Sequence, residues 1–399
     1  MDRRAYQHGV RLVTDDSANL WAIWSSSMGN PPQGRKRLIR EDGTKCSFFT
    51  HDIFYSLLNT ANPIIQPYLL LGMNEAQEPV DAAISQDGTI IITFEDGSET
   101  DTTGCDGIIK QRYKIYSQFP DRFSELNTVK VDGGHSGHVT AVGNNFVIVY
   151  AEGWIDGDGA FDAGTANDVY IETISSEGTY RWHYAVAVDK GWPRDWWPLV
   201  AGSPRYALLA WQRLVKDSNY AALMVALYDP QTNKLIKPAT ILKENLQYYH
   251  YDVQYLKKIN RFLVVGNYLG NTIVSQSLVV VSPKLFAYLL DEAGNVVSYW
   301  ESEDKCTKCG TYPNMALVRE SRPAIMDHDV ATVSYPIKPN GIASLKVGRN
   351  NIILNSIQTQ KHFWFPLGTD GIFLDSSKTL FVNLTPTGVR LIEVPANGN

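Results

Sequence analysis

The chain has 399 residues, of which 44 % are hydrophobic and 20 % charged, and it carries a formal charge of −6. That is a globular composition able to bury a large core, and its acidic balance argues against a general nucleic-acid binder. No apolar run approaches the roughly 18 residues that would span a bilayer.

Read from the N-terminus, one unit recurs: two short apolar runs joined by a tight polar turn, the signature of a β-hairpin. Copies fall at Val10–Trp24, Val80–Phe94, Val139–Tyr150, Leu199–Trp211, Val253–Val265 and Pro323–Tyr335, with a weaker one at Phe363–Leu374. The clearest is Trp196–Gln212, where Gly202–Arg205 separates Pro198–Ala201 from Tyr206–Trp211. A third run follows several hairpins, at Asp52–Leu57, Asp168–Ile174, Ala222–Tyr228 and Phe286–Leu290. Turns then lead to a fourth strand, at residues 175–178, 229–233 and 291–295. Four strands per repeat, about seven repeats and no amphipathic helix predict an all-β protein. The expected architecture is one β-propeller domain over residues 1–399, which repeats four-stranded sheets so that few edges stay exposed. The expected blades are 9–71, 78–131, 137–190, 196–244, 250–302, 321–358 and 361–395, with six or eight as alternative counts.

The blades resemble the broad propeller group that reads apolar strand, turn, Tyr-Leu-Val-Val-Trp, loop, strand, Asp-x-x-Gly. Phe146–Tyr150, Tyr206–Trp211 and Phe262–Val265 carry that resemblance, with Asp229 and Asp291–Gly294 as the later turns. Such blades occur in lectins, hydrolases, lyases and surface proteins, so the fold implies no single function. The Ser-x-Asp-x-Gly-x-Thr-Trp box of sialidases and the Trp-Asp dipeptide of other propellers are absent.

Propeller geometry puts the long segments on one face: Ser25–His51, Glu95–Gly107, Gly153–Asn167, Gln212–Tyr220 and Glu301–Ser321. Long loops on a rigid scaffold are where binding sits. The residues entering each inner strand are then expected to ring the mouth of the central channel. They are Glu78 and Asp81; His135 and His138; Asp195, Trp196 and Trp197; His250, Tyr251 and Asp252; and Arg322. For each, capping a strand or packing between blades is the structural alternative. Together they suit acid/base work beside an anionic group, with exposed Trp faces for sugar rings.

Gly34–Arg40 with Lys45 brings five cations, among them Arg35 and Arg37, to the same face. It reads as a solvated loop or as a patch for carboxylate or sulfate groups. Trp154–Asp168 spaces Asp156, Asp158, Asp162 and Asp168 among glycines, as a calcium loop or an ordinary acidic turn would. No organic cofactor motif is present. Cys46, Cys105, Cys306 and Cys309 suit disulfides in an exported protein or free thiols in a cytosolic one. The first eight residues lack the apolar core of a signal peptide. The expected location is extracellular or at the cell surface, with the cytoplasm as the alternative.

The chain is also similar, in blade count, size and residue types, to seven-bladed propeller polysaccharide lyases that act on uronate-containing chains. That resemblance implies His138 as base, Tyr251 as acid and Arg322 as the partner of the substrate carboxylate. Glu78, Asp81, His135, Asp195, Trp196, Trp197, His250, Arg35 and Arg37 are then substrate-binding candidates, and an acidic polysaccharide is the expected partner. The second reading is a non-catalytic lectin, adhesin or structural subunit that binds glycan or protein through the same loops.

Overall fold

The second strand of each repeat sets the architecture, because it is buried on both faces. Asn145–Ala151 and Ala207–Gln212 are buried at every residue, as uninterrupted apolar runs require. Outer strands are half solvated instead, and Lys234–Thr240 alternates between exposed and half-buried positions.

In the computed structural model, the described residues are 7–14, 19–26, 37–39, 45–47, 51–59, 61, 63–73, 77, 80–100, 107–131, 134–152, 168–188, 193–214, 221–275, 278–302, 316–318, 320–338, 341–359, 368–385 and 388–395. Among them there is no helix, and so none long and apolar enough to cross a membrane.

The first sheet takes β1 (Gln7–Thr14), β2 (Leu20–Ser26), β5 (Asp52–Leu58) and β6 (Tyr68–Leu71), with β3 (Arg37–Ile39) and β4 (Lys45–Ser47) pairing separately. The second holds β7 (Asp81–Ile84), β8 (Ile90–Thr100) and β9 (Gly107–Gln118), edged by β10 (Arg122–Phe123) and β11 (Asn127–Thr128). The third runs β12 (Gly134–Val142), β13 (Asn145–Glu152), β14 (Val169–Ser175), β15 (Tyr180–Ala187). A seven-stranded sheet follows: β16 (Arg194–Gly202), β17 (Ala207–Leu214), β18 (Ala221–Asp229), β19 (Lys234–Leu256), β20 (Arg261–Ser275), β21 (Leu278–Leu290), β22 (Val296–Glu301). The next holds β23 (Ala316–Leu317), β24 (Ala324–Met326), β25 (Ala331–Lys338), β26 (Gly341–Val347) and β27 (Ile352–Thr359). A three-stranded sheet ends the chain, β28 (Thr369–Phe373), β29 (Lys378–Thr385) and β30 (Gly388–Pro395). Consecutive antiparallel strands repeated in this way make the chain an all-β propeller.

Packing divides the chain into two compact units, residues 1–191 with 382–392, and residues 192–381 with 393–399. In the first, Ile23, Ile90, Ile92 and Phe94 belong to one apolar cluster and Ile91, Phe146, Ile148 and Tyr150 to another. In the second, Leu263, Val265, Val333, Tyr335, Leu345 and their neighbours form a core of fully buried side chains. Each such side chain contributes about 1.5–3 kcal/mol of burial.

Four expectations about segments are corrected. The break expected between 244 and 250 does not occur: no Gly or Pro falls there, and β19 runs through as the fourth strand of one repeat and the first of the next. It changes direction at a bulge between Leu246 and Tyr251. The loop expected from Glu95 starts later, since β8 and β9 stay paired out to Thr100 and Gly107. Inside Ser25–His51, β3 and β4 form a hairpin with Leu38 opposite Cys46. The weak seventh hairpin is displaced along the chain: Thr369–Phe373 is its first strand, and the turn falls at 374–377.

Candidate functional site

Three inner strands, β12, β16 and β19, carry a backbone irregularity near the residues singled out. In the first unit, β12 bulges between His135 and His138, with Ser136 at φ +53°. In the second, β16 bulges between Trp196 and Leu199 with Trp197 at φ +56°, and β19 carries Tyr249 at φ +63°. A non-glycine residue at positive φ costs of order 1–3 kcal/mol and marks a position that the surroundings enforce. Here the rings do so. Trp196, Trp197 and Tyr249 meet edge to face in all three pairings, with centroids 5.2–6.0 Å apart. Contacts of this kind add about 0.5–1.5 kcal/mol each, the same order as the strain.

In the second unit, Asp195 is 1 % exposed and fully engaged. It accepts Trp211 Nε1 at 2.5 Å and the fork of Arg213, Nε at 2.9 Å and Nη2 at 2.8 Å. Asp252 lies two residues beyond His250 on β19. It accepts Gln254 Nε2 at 2.7 Å, while Arg322 Nη1 approaches its other oxygen at 3.4 Å. Tyr335 Oη stands 3.5 Å away. Burial first, and then the Asp252 charge, push the Tyr335 phenol well above its ordinary range. The backbone N–H of Arg322 donates to Thr369 O at 2.8 Å. His250 is half-buried, and its Nδ1 lies 2.5 Å from Tyr248 O.

In the first unit, Asp81 is buried, pairs with Arg11 Nε, and accepts Val139 N–H at 3.0 Å. His138 is buried too, with Nδ1 3.0 Å from Ser136 O. A carbonyl can only accept, so Nδ1 carries the hydrogen in both histidines and the lone pair of the neutral ring falls on Nε2.

Other candidates fare differently. Trp196 and Trp197 are 1 % and 4 % exposed, which corrects the expectation of open faces for sugar stacking: they pack the bulge instead. Tyr251 is buried, its hydroxyl donating to Trp197 O, and burial pushes its phenol well above its ordinary value. As placed, it props Trp197. His135 opposes Ala151 in the β12–β13 register and Arg37 opposes Ser47 in β3–β4. Asp168 is buried at the start of β14, where its Oδ2 and Glu152 Oε2 both lie 3.3 Å from Tyr170 Oη. Glu78, Arg35, Asp156, Asp158 and Asp162 lie outside the described residues, as do Cys105, Cys306 and Cys309. Among the described residues, no group of three or more His, Cys, Asp or Glu is arranged to hold a metal ion.

Sequence reasoning missed Arg11, Arg213, Gln254 and Tyr335. One signal was available: Arg11 and Asp81 stand seventy residues apart, and so do Asp252 and Arg322, opposite charges one repeat apart.

No protein-family model and no curated protein matches the sequence. Among solved structures, the chain is similar to a protein of unknown function from Dyadobacter fermentans, at 10 % identity over 97 % of this chain and 93 % of that one, with a TM-score of 0.54. It is also similar to the polysaccharide lyase Uly1, at 10 % identity over 98 % and 90 % of the two chains, with a TM-score of 0.49. The sialidase of Trypanosoma rangeli matches at 9 % identity over 94 % of this chain, with a TM-score of 0.46, and the chain spans 59 % of that protein's length. At such identities the likeness concerns the fold alone.

Proposed function

We propose that the chain is a carbohydrate-active propeller and, more finely, a polysaccharide lyase acting on uronate-containing glycans. The observation that supports this best is the pair of histidines whose Nδ1–H is committed to a backbone carbonyl, leaving Nε2 as the proton acceptor. In the second unit that group sits two residues from Asp252, whose contact with Arg322 at 3.4 Å is long for a charge-assisted bond, ordinarily about 2.7–2.9 Å. Arg322 then turns from Asp252 to the uronate carboxylate, whose charge it neutralises as the adjacent C5–H is made acidic. His250 takes the C5 proton, the C4–O4 bond breaks, a C4=C5 double bond forms, and the imidazolium returns a proton to the leaving oxygen. Tyr251 keeps Trp197 in place rather than exchanging protons. His138 is the equivalent imidazole of the first unit.

The test is incubation with a panel of acidic polysaccharides, following near-ultraviolet absorbance and chain length. The expected result is absorbance from an unsaturated uronate, lost in His250→Ala with the fold intact. Polymers left at full length by the wild-type chain would overturn the lyase reading. Non-catalytic binding of glycan or protein is favoured by a different observation, the exposed rings Tyr68 and Tyr299, at 54 % and 42 %. That reading expects retention on immobilised polymer without cleavage.

We also propose calcium at the acidic segment between Glu152 and Asp168, because two carboxylates converge on the single hydroxyl hydrogen of Tyr170. A melting midpoint that rises with calcium and falls with chelator is expected; no change in either rejects it.

A further inference from the structure

We infer that Gln111 and Gln212 are positioning residues, each locking one histidine into its Nδ1–H tautomer through a single shared peptide group. In the first unit the peptide joining Ser136 to Gly137 is used at both ends. Its N–H donates to Gln111 Oε1 at 2.8 Å, and its carbonyl accepts Nδ1–H of His138 at 3.0 Å. In the second unit the peptide joining Tyr248 to Tyr249 is used in the same way. Its N–H donates to Gln212 Oε1 at 3.1 Å, and its carbonyl accepts Nδ1–H of His250 at 2.5 Å.

The two glutamines reach these peptides from different places. Gln111 lies on β9, the third strand of its repeat, and Gln212 on β17, the second strand of its own. The arrangement is therefore not one blade position copied twice. Both side chains are buried, at 0 % and 1 % exposure, so neither is held there by solvent.

The orientation of the Gln111 amide is settled by its neighbours. Its Nε2 donates to Thr93 Oγ1 at 2.5 Å, and that hydroxyl donates to Arg112 O at 3.0 Å. A carbonyl ends the chain, so every donor direction is fixed and Oε1 must face the Gly137 N–H. The Gln111 contact also needs glycine at 137: a Cβ there would come within 2.2–2.5 Å of the Gln111 amide and displace it. The left-handed residues Ser136 and Tyr249, at φ +53° and +63°, turn these peptides toward their glutamines.

An acceptor on the N–H of a peptide polarises its carbonyl and strengthens the bond that the carbonyl receives. The glutamine thus acts on the imidazole at one remove, as a carboxylate behind a ligating histidine does. The tautomer assignment stands without the lyase reading; the use of His250 Nε2 as a base rests on that reading.

The experiment is long-range proton–nitrogen correlation on the full chain with labelled histidine, above the pH at which the rings titrate. Nδ1 of His138 and His250 is expected as the protonated nitrogen and Nε2 as the bare one. Gln111→Met and Gln212→Met keep length and remove the acceptor. Each lets the shared peptide turn its carbonyl away, and should convert its own histidine to a mixture of tautomers and leave the other unchanged, while Gln212→Glu, which keeps an acceptor, restores the single form. Wild-type rings that carry the hydrogen on Nε2 overturn the inference without any variant, and so does an Nδ1–H signature that survives both methionine substitutions. If the signature responds as expected but His250→Ala still cleaves polymer, the lyase assignment fails and the positioning role stands.

Discussion

Two aspartate–arginine pairs in the second unit differ in a way that separates architecture from chemistry. Asp195 receives a planar fork from Arg213 within one hairpin, and an indole N–H completes its shell. Asp252 meets Arg322 Nη1 at 3.4 Å, across a sequence interval of one repeat, and the same Nη1 lies 3.5 Å from Val253 O. Both carboxylates are buried to 1 % exposure, so burial does not distinguish them. Geometry does. A bidentate pair with a third donor has nothing left to offer a ligand, whereas a contact at 3.4 Å is longer than a charge-assisted hydrogen bond. The lesson is that an arginine entering an inner strand is a candidate for substrate only when its present partner holds it loosely.

The largest expected effect tests the tight pair. Asp195→Ala removes the acceptor of the Trp211 indole and of the Arg213 fork and should cost about 1.5–3 kcal/mol, the range for hydrogen bonds to a charged group, since Arg213 is 26 % exposed. Denaturant unfolding would measure it, and a loss below about 1 kcal/mol would erase the contrast. Arg322→Gln should destabilise less, by about 1–2 kcal/mol, because Gln254 still donates to Asp252. Its main consequence should be a rise in KM for acidic polymer at unchanged folding. An unaltered KM would make Arg322 a second architectural arginine.

A third carboxylate sharpens the comparison by having no charged partner among the described residues. Asp87, in the first unit, accepts Ser85 Oγ and Ser176 Oγ at 2.5 Å and Thr89 N–H at 3.2 Å. Burial works to raise its pKa, but the hydrogen bonds from Ser176, Ser85 and Thr89 prevail and hold it below the usual aspartate range. A carboxylate depressed in the folded state stabilises the fold above its unfolded pKa of about 3.9 and loses that contribution as pH falls through the folded value. Because Asp87 is exposed and solvent screens its contacts, Asp87→Asn should cost only about 0.2–1 kcal/mol near neutrality. The difference from wild type should close below about pH 4, as the wild-type carboxylate is protonated. A difference that is independent of pH would place the effect in packing.

The last effect falls on packing alone. Trp197→Phe keeps an aromatic ring between Trp196 and Tyr249 and should lower stability by about 1–2 kcal/mol while leaving glycan binding unchanged, since the ring is 4 % exposed. A loss of affinity without a loss of stability would return Trp197 to the ligand.

How much of this was open to reading depends on where each signal resides. Strands β2, β13, β17 and β25 are legible because a strand buried on both faces must be apolar at every position, and short turns must be polar. The repeat follows from them, and with it the all-β propeller and the entry positions of the inner strands. The amino-acid sequence also supplied the residue types of the site: His138, His250, Asp252 and Arg322 were all visible as candidates. Their states were not. Whether Trp197 faces sugar or protein depends on a bulge and a left-handed backbone, stabilised by rings fifty residues apart. The continuous β19 depends on pairing partners on both sides, which outweigh the local bulges. Which nitrogen of His250 bears the hydrogen depends on a peptide two residues back and on Gln212, 37 residues before Tyr249. Periodic burial is a local property of a strand and is written along the chain. Hydrogen-bond direction and the partner of a charge are properties of neighbours brought together by folding, and only the tertiary structure decides them.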